Sequence, residues 1–433
     1  CGFTFSADAF ESLMLLMKET YSKKGWKFKN KELPILFLAG ADDPCAGGGR
    51  KFVKELQFMK SIGYRKVTGK MYPDMRHEIL NETKKELVYE NIYEYLERKN
   101  RRSNMSTKSE VLKLLEENKG TYLSGEELAI KLNCSRTAVW KAMKTLREEG
   151  YEILAVNNRG YALSKENNVL SEEAIRLGLN KKAVKIEVKR EIPSTNQYLK
   201  QKGIEEEYEE GSVVVAESQS AGKGRRGRHF YSPGKCGLYM SVLLKPKKTA
   251  QESLKITAAA AVAVCRAVEK VCKVSLGIKW VNDLYLGEKK VCGILTEAVS
   301  DFETGDIELV VVGIGINLKE PKDGFPKELG DIAGTVLKEG EHVDRNLLVA
   351  EIVNELLEES EKDGIPKEYI ERNIVPGRKV WVAYGQQERS VFAKQILPDG
   401  RLLIENEQHE EEILPCGDVS LRINPKDVKI RGR

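Results

Sequence analysis

The chain has 433 residues, 32% of them charged, and its formal net charge is +5. This length predicts more than one domain, and so mild a charge restricts any nucleic-acid interface to a local patch. The sequence contains no apolar run of membrane-spanning length, no recognisable signal peptide and no C-x-x-C pair among its eight cysteines. We therefore expect buried, reduced thiols in a cytoplasmic protein without a membrane partner.

Residues 1–98 form the first predicted segment. A buried strand leads into an acidic turn with Asp43, and His77 lies on a loop before a helix. This segment resembles the C-terminal third of an α/β-hydrolase of the lysophospholipase or monoacylglycerol lipase kind. The resemblance implies that Asp43 is the acid and His77 the base of a catalytic triad.

The motif G-x-S-x-G, which carries the nucleophile of such a triad, occurs nowhere in the chain. We therefore expect an inactive hydrolase remnant. Three origins stay open at the level of the sequence: an upstream gene joined to the next one, with Met105 as the natural start of the main body; an appended domain that lost its activity; and a site completed by a separate chain.

Residues 99–108 form a polar, basic linker, and residues 109–165 are predicted to form a winged helix-turn-helix. An amphipathic helix follows the linker, a capping box from Ser124 to Glu127 opens a second helix, and Gly150 ends a third. Two short strands after the third helix complete the wing.

The third helix has an apolar face and, opposite it, a polar face that suits DNA. The polar face consists of Arg136, Thr137, Trp140, Lys141 and Lys144. We expect this helix to enter the major groove, while Arg159 of the wing reaches the backbone or the minor groove. Because such domains bind paired half-sites, DNA binding implies a homodimer. A small helical protein-interaction module with a solvated basic face is the alternative.

Residues 222–228 have the sequence GKGRRGR, three glycines and four cations in seven positions. Glycine lets backbone N–H groups turn toward an anion, and the cations add charge-assisted hydrogen bonds, so the loop predicts phosphate or carboxylate binding. The Rossmann fingerprint fits in spelling only, because a strand over residues 238–244 follows where a helix is required. The Walker A pattern also fails, since no Gly-Lys-Ser/Thr follows. A solvated basic loop is the alternative.

Four further motifs surround this loop in the sequence. They are PSTN at 193–196, KWVND at 279–283, KVCGIL at 290–295 and GIGINL at 313–318. In order and spacing the five motifs resemble those of the biotin protein ligases, specifically the bifunctional kind that also represses transcription, over about residues 105–424. Two departures are Lys223, where many members have arginine, and Val281, where many have proline.

The resemblance implies a two-step reaction. The carboxylate of biotin attacks the α-phosphate of ATP, with Mg²⁺, to give biotinyl-5'-AMP, and a lysine of a biotin carboxyl carrier protein then attacks that mixed anhydride. Nucleotidyl transfer depends mostly on positioning and charge neutralisation, for which arginine and lysine are suited. The other implied partners are operator DNA and a second copy of the chain when the adenylate is bound.

The resemblance also assigns residues to roles. The implied catalytic residues are Arg225, Lys290, Asn282 and Asp283, and the implied biotin-binding residues are Ser194, Thr195, Asn196, Gln219, Gly222 and Lys223. Arg226 and Arg228 join Arg225 at the adenylate phosphate, Lys290 lies near the reacting groups, and Asp283 orients or deprotonates the incoming amine. Arg422 is implied to reach the nucleotide and Asn317 to contact ligand. The alternatives are that Asn282 is a turn residue and Lys279 a solvated strand end.

The expected fold is multidomain α+β. Residues 168–373 form a catalytic domain with a mixed sheet, which by resemblance shares the class II aminoacyl-tRNA synthetase fold, and residues 376–424 form an SH3-like barrel. Two functions stay open: a biotin ligase that is also a repressor, and a DNA-binding biotin sensor without significant ligase turnover. A sensor has no need of Asp283, which would serve the incoming lysine, so the sequence favours the enzyme.

Overall fold

The computed structural model describes residues 31, 33–46, 49–92, 95, 106–180, 185–205, 208–246, 252–300, 307–384, 387–414 and 419–422. The chain divides into two compact units, Cys1–Met105 and Ser106–Arg433.

The first unit contains a parallel pair of strands. Strand β1 (Ile35–Gly40), helix α1 (Arg50–Ser61) and strand β2 (Val67–Tyr72) follow one another, and Ile35 pairs with Val67. The expectation of a buried strand was wrong for most of β1, because only its last residue is fully buried. Within the described residues β1 has a single neighbouring strand, so its sides are only partly covered.

The second unit begins with a three-helix bundle and a hairpin. Helices α2 (Thr107–Glu117), α3 (Gly125–Leu132) and α4 (Arg136–Glu148) precede strands β3 (Ile153–Val156) and β4 (Gly160–Leu163), which are antiparallel. A serine caps each helix by accepting a hydrogen bond from the third backbone N–H beyond it, and Ser124 accepts from Glu127 at 3.0 Å. Helix α2 begins at Thr107, so it includes the last two residues of the predicted linker.

A seven-stranded mixed sheet follows. Its strands are β5 (Ile186–Ile192), β6 (Val213–Gln219), β7 (Gly237–Leu244), β8 (Gly277–Lys279), β9 (Asp283–Leu286), β10 (Lys289–Ser300) and β11 (Ile307–Asn317). Their order is β5-β6-β7-β11-β10-β9-β8, and only β5 and β6 are parallel neighbours. The predicted mixed sheet is confirmed.

Six α-helices of the described residues accompany this sheet. They are α5 (Glu172–Gly178), α6 (Thr195–Ile204), α7 (Glu252–Cys272), α8 (Lys327–Gly330), α9 (Arg345–Glu361) and α10 (Lys367–Glu371). On β6, Val213 and Val215 join the larger core with α7 and α9, while Val214 joins a smaller core with α6. The period of two along a strand thus gives each face of the sheet its own apolar layer.

The chain continues into a five-stranded antiparallel sheet. Its strands are β12 (Arg378–Tyr384), β13 (Gln387–Ile396), β14 (Leu402–Glu405), β15 (Glu411–Leu414) and β16 (Val419–Arg422), in the order β15-β14-β13-β12-β16. The sequence predicted the middle three strands and missed the outer two. The indole N–H of Trp280 donates to the carbonyl of Gly400 at 2.9 Å and so ties this sheet to the larger one.

Two chain-wide expectations can be compared with the described residues. Five cysteines there are free, but only Cys265 and Cys292 are buried while three are half-buried, so burial was predicted too broadly. Among the helices that the structure describes, none is both long and apolar enough to cross a membrane.

Candidate functional site

The start of α6 and the end of β6 form one polar corner. Ser194 caps α6 by accepting from the backbone N–H of Gln197 at 3.4 Å, and this turn brings Thr195 to Gln219. Gln219 Oε1 accepts from the Thr195 backbone N–H at 2.9 Å and from its hydroxyl at 3.1 Å. The Gln219 amide nitrogen donates to the hydroxyl of Ser232 at 3.0 Å. Three of the residues predicted to bind biotin therefore meet.

The side chain of Asn196 forms hydrogen bonds with three other residues of the protein. Its amide nitrogen donates to Glu297 Oε2 at 2.8 Å and to the Leu295 carbonyl at 3.2 Å, and its oxygen accepts from Ser241 at 2.6 Å. A Cβ on Gly313 would lie 2.1 Å from that oxygen, so only glycine fits there. The bonds of Asn196 thus fix α6 against β7 and β10, and β11 passes close to its side chain at Gly313.

The glycine-arginine loop turns back on itself. The backbone N–H of Gly224 donates to the Arg228 carbonyl at 2.7 Å, and residues Arg225–Gly227 form a short 3-10 turn. Arg226 has a φ of 59°, which is uncommon for a residue with a side chain. A Cβ on Gly222 would lie 2.4 Å from the Phe230 carbonyl oxygen, so this glycine is needed for the close approach. The backbone is therefore shaped for a purpose other than packing.

One contact joins this loop to the β8–β9 turn. Arg225 donates to Asn282 Oδ1 at 3.1 Å, and Asn282 in turn donates from its amide to the Ile294 carbonyl at 2.7 Å. Asn282 lies in the turn between β8 and β9, as the alternative interpretation of this residue predicted, and it also positions Arg225. Arg226, Arg228 and Lys223 are exposed on the same loop.

The hairpin of β9 and β10 carries an ion pair. Lys290 Nζ lies 2.6 Å from Asp283 Oδ1, and both side chains are about one quarter exposed, so ligand can reach them. Burial raises the pKa of the Cys292 thiol well above its usual range, so this neighbour stays protonated. The alternative that Lys279 is a solvated strand end is wrong: its side chain is buried and donates to the Tyr285 hydroxyl at 3.1 Å.

Phe230 is a site residue that sequence reasoning missed. Gly293 and Gly315 are partners across β10 and β11, and Cβ atoms built on them would lie 3.1 Å and 2.4 Å from the Phe230 ring. The same point on Gly293 lies 3.3 Å from Lys290 Nζ. The ring therefore lies over the glycines of β10 and β11 and close to Lys290, while the Phe230 carbonyl accepts from the Ser232 hydroxyl at 2.9 Å. The signal was the glycine in each of the two strand motifs.

Asn317 was expected to contact ligand and Arg422 to reach the nucleotide. Asn317 ends β11, where its carbonyl accepts from the Val336 backbone N–H at 3.0 Å. Arg422 pairs with Trp381 between β16 and β12, and its side chain lies outside the described atoms.

The third helix of the bundle presents the predicted basic face. Val139, Ala142, Met143 and Leu146 are buried, while the five residues of the opposite face are exposed. In the wing, the Arg159 guanidinium lies 4.5 Å above the ring of Tyr122, which supports it at the tip of the hairpin.

In the first unit, His77 Nδ1 lies 3.0 Å from Asp43 Oδ2. The carboxylate is buried and the imidazole exposed. The two residues predicted to be the acid and base of a triad therefore meet beyond the ends of the parallel strands.

Comparisons with known proteins agree with the helix-turn-helix and with the mixed-sheet domain. The model of the biotin/lipoate A/B protein ligase family matches residues 188–317, and that of an HTH domain matches residues 107–162. The chain is 35% identical to the bifunctional ligase/repressor BirA of Bacillus spizizenii over 279 residues, which is 64% of this chain and 83% of the relative. It is 31% identical to BirA of Escherichia coli over 312 residues, or 70% and 94% of the two chains. A solved biotin protein ligase from Aquifex aeolicus, in complex with biotin and ATP, has a TM-score of 0.47 and 27% identity, covering 55% of this chain and 99% of that one.

Proposed function

Because the chain belongs to the family of the bifunctional ligase/repressor BirA, we propose that it is a biotin–protein ligase that also represses the transcription of biotin genes. It makes biotinyl-5'-AMP from biotin and ATP and transfers biotin to a lysine of a biotin carboxyl carrier protein. One observation supports this most strongly: the contact of Arg225 with Asn282 brings the cationic loop to the hairpin that carries Lys290 and Asp283.

In the first step, a carboxylate oxygen of biotin forms a bond to the α-phosphorus of ATP, and the bond to the β-phosphate oxygen breaks, releasing pyrophosphate. Lys290 and Arg225 offset the negative charge on the phosphate. The polar corner of Ser194, Thr195 and Gln219 holds the ureido ring, since it offers both donors and acceptors. Mg²⁺ enters with ATP, because it prefers phosphate oxygens and water to a cage of protein ligands.

In the second step, the amine of the carrier lysine attacks the acyl carbon, AMP leaves, and the amine loses a proton. Asp283 is the carboxylate nearest to the proposed phosphate-binding residue Lys290, at 2.6 Å. When a phosphate draws Lys290 toward itself, Asp283 loses its partner and accepts the proton of the incoming amine. The ion pair thus links the two steps.

The remaining parts of the chain complete the proposal. Residues 109–165 bind operator DNA, and the adenylate promotes the homodimer that fits two half-sites. Residues 168–373 are the catalytic domain, and residues 376–424 form an SH3-like barrel that covers it. Residues 1–98, in which Asp43 and His77 come together, are a hydrolase remnant that takes no part in biotin transfer. The free cysteines suit a cytoplasmic protein.

The first step is tested by the exchange of radiolabelled pyrophosphate into ATP. We expect exchange that depends on biotin, is lost in Lys290→Ala and is retained in Lys289→Ala. Lys289 is a matched control because its ammonium bonds the carbonyls of Gly330 and Asp331 instead of Asp283. A protein that binds biotin and ATP without exchange would favour the sensor.

A further inference from the structure

Trp140 lies on the outward face of α4 and is 53% exposed. A single exposed apolar side chain needs no explanation by itself. The position of Trp140 is what matters: it lies in one row with Arg136 and Lys144, beside Lys141, on a helix whose other face is buried. The row, completed by Thr137 and Lys141, is here called the α4 stripe.

The α4 stripe offers mainly hydrogen-bond donors. It offers cations that only donate, one hydroxyl and one indole, and it contains neither a carboxylate nor an amide. In the major groove adenine is best matched by an amide and cytosine by a carboxylate, whereas guanine offers two acceptors to arginine or lysine. Thymine adds a C5-methyl group, which apolar side chains contact. The stripe therefore matches guanine through its cations and thymine through Trp140.

We propose that α4 reads half-sites in which guanine and thymine are neighbours, and that Trp140 determines specificity by covering the C5-methyl group of a thymine. The proposal rests on the proposed binding of operator DNA and adds the bases that are read. Arg159, held over the ring of Tyr122 at 4.5 Å, contacts the DNA from the wing and leaves base reading to the helix.

The test starts from DNA selected by the full chain, with biotin and ATP, from a random duplex library. Each thymine of the selected site is then replaced by deoxyuridine, which removes only the methyl group. We expect one position in each half-site where this weakens binding about fourfold, the effect of burying one apolar carbon. Trp140→Ala weakens binding to the thymine site and removes the preference for thymine over deoxyuridine, and Trp140→Phe restores part of the preference.

Leu347→Ala is the matched control, because Leu347 is also exposed, at 42%, and lies outside the helix-turn-helix. It should keep the full preference. If Trp140→Ala keeps it too, or if no deoxyuridine position matters, the proposal is overturned while DNA binding stands. If the selection enriches no sequence, the DNA-binding function itself fails and this proposal falls with it, whereas ligase activity is unaffected.

Discussion

We expect the contact between the helix-turn-helix and the catalytic domain to weaken as the pH rises, because the Glu116 carboxyl is buried near it. The residue is 8% exposed, near the end of α2, and its Oε1 has no hydrogen-bond partner. Lys119 Nζ lies 3.9 Å from Glu116 Oε2 and 3.1 Å from Asp344 Oδ2, so two carboxylates share one cation. Burial is the largest cause of the raised pKa of Glu116, which is about 7. The lysine Lys119 lowers this pKa, whereas the carboxylates Asp344 and Glu173 raise it further.

The direction and size of the effect follow from this pKa. The ordinary value is 4.5, so the folded protein holds a proton on Glu116 at pH values where the unfolded chain has lost it. The contribution of Glu116 to stability is therefore largest below pH 4.5, falls between pH 4.5 and about 7, and is lost above that. Each pKa unit corresponds to 1.36 kcal/mol, so the full loss is roughly 3 kcal/mol.

Glu116→Gln removes the ionisation and keeps the shape. We expect the variant to be more stable than the parent by roughly 1 to 3 kcal/mol at about pH 8 and nearly equal to it at about pH 4. The measurement is the urea dependence of hydrogen exchange in a peptide that covers α2. Glu117→Gln is the control, since Glu117 is exposed and pairs with Lys113. A stability difference between the parent and Glu116→Gln that does not change with pH would mean that Glu116 does not hold a proton in the folded protein.

Three further predictions concern the reaction and the domain order. Arg225→Gly should release the adenylate about ten- to a hundredfold faster, because charge-assisted bonds to the phosphate are lost, and labelling of bystander lysines should rise; an unchanged dissociation rate would mean that the loop is not the phosphate cradle. Lys290→Ala should slow adenylate formation by a larger factor than it weakens biotin binding, whereas equal losses would make Lys290 a ground-state binding residue only. Deleting residues 1–104 should leave ligation intact, and deleting through residue 163 should abolish salt-dependent DNA binding while sparing much of the chemistry. Transfer and gel-shift assays on both proteins test this, and loss of transfer in the first protein or retained DNA binding in the second would contradict it.

Local patterns were sufficient for much of the architecture. Ser124 and Ser194 predicted helix starts because a cap depends only on the next three residues. Runs such as residues 238–244 predicted strands, and strands following strands indicated a mixed sheet rather than a doubly wound one. The loop at residues 222–228 pointed to an anion because its composition has no use in packing.

Contacts between distant segments were not predictable in the same way. Arg225 meets Asn282 across 57 positions, and Lys119 meets Asp344 across 225. Such contacts depend on strand register and on how domains pack, neither of which a local pattern contains. Phe230 was missed for this reason, since the glycines beneath its ring come together only when β10 pairs with β11.

The most direct test of the account is transfer of biotin to a carrier. The full chain is incubated with ATP, Mg²⁺, radiolabelled biotin and a biotin carboxyl carrier domain, and the label on the carrier is counted. We expect label that requires ATP, is absent when the acceptor lysine of the carrier is replaced by arginine, and falls sharply in Asp283→Asn. Tight binding of biotin and ATP with an unlabelled carrier would mean that the protein is a DNA-binding sensor and not a ligase.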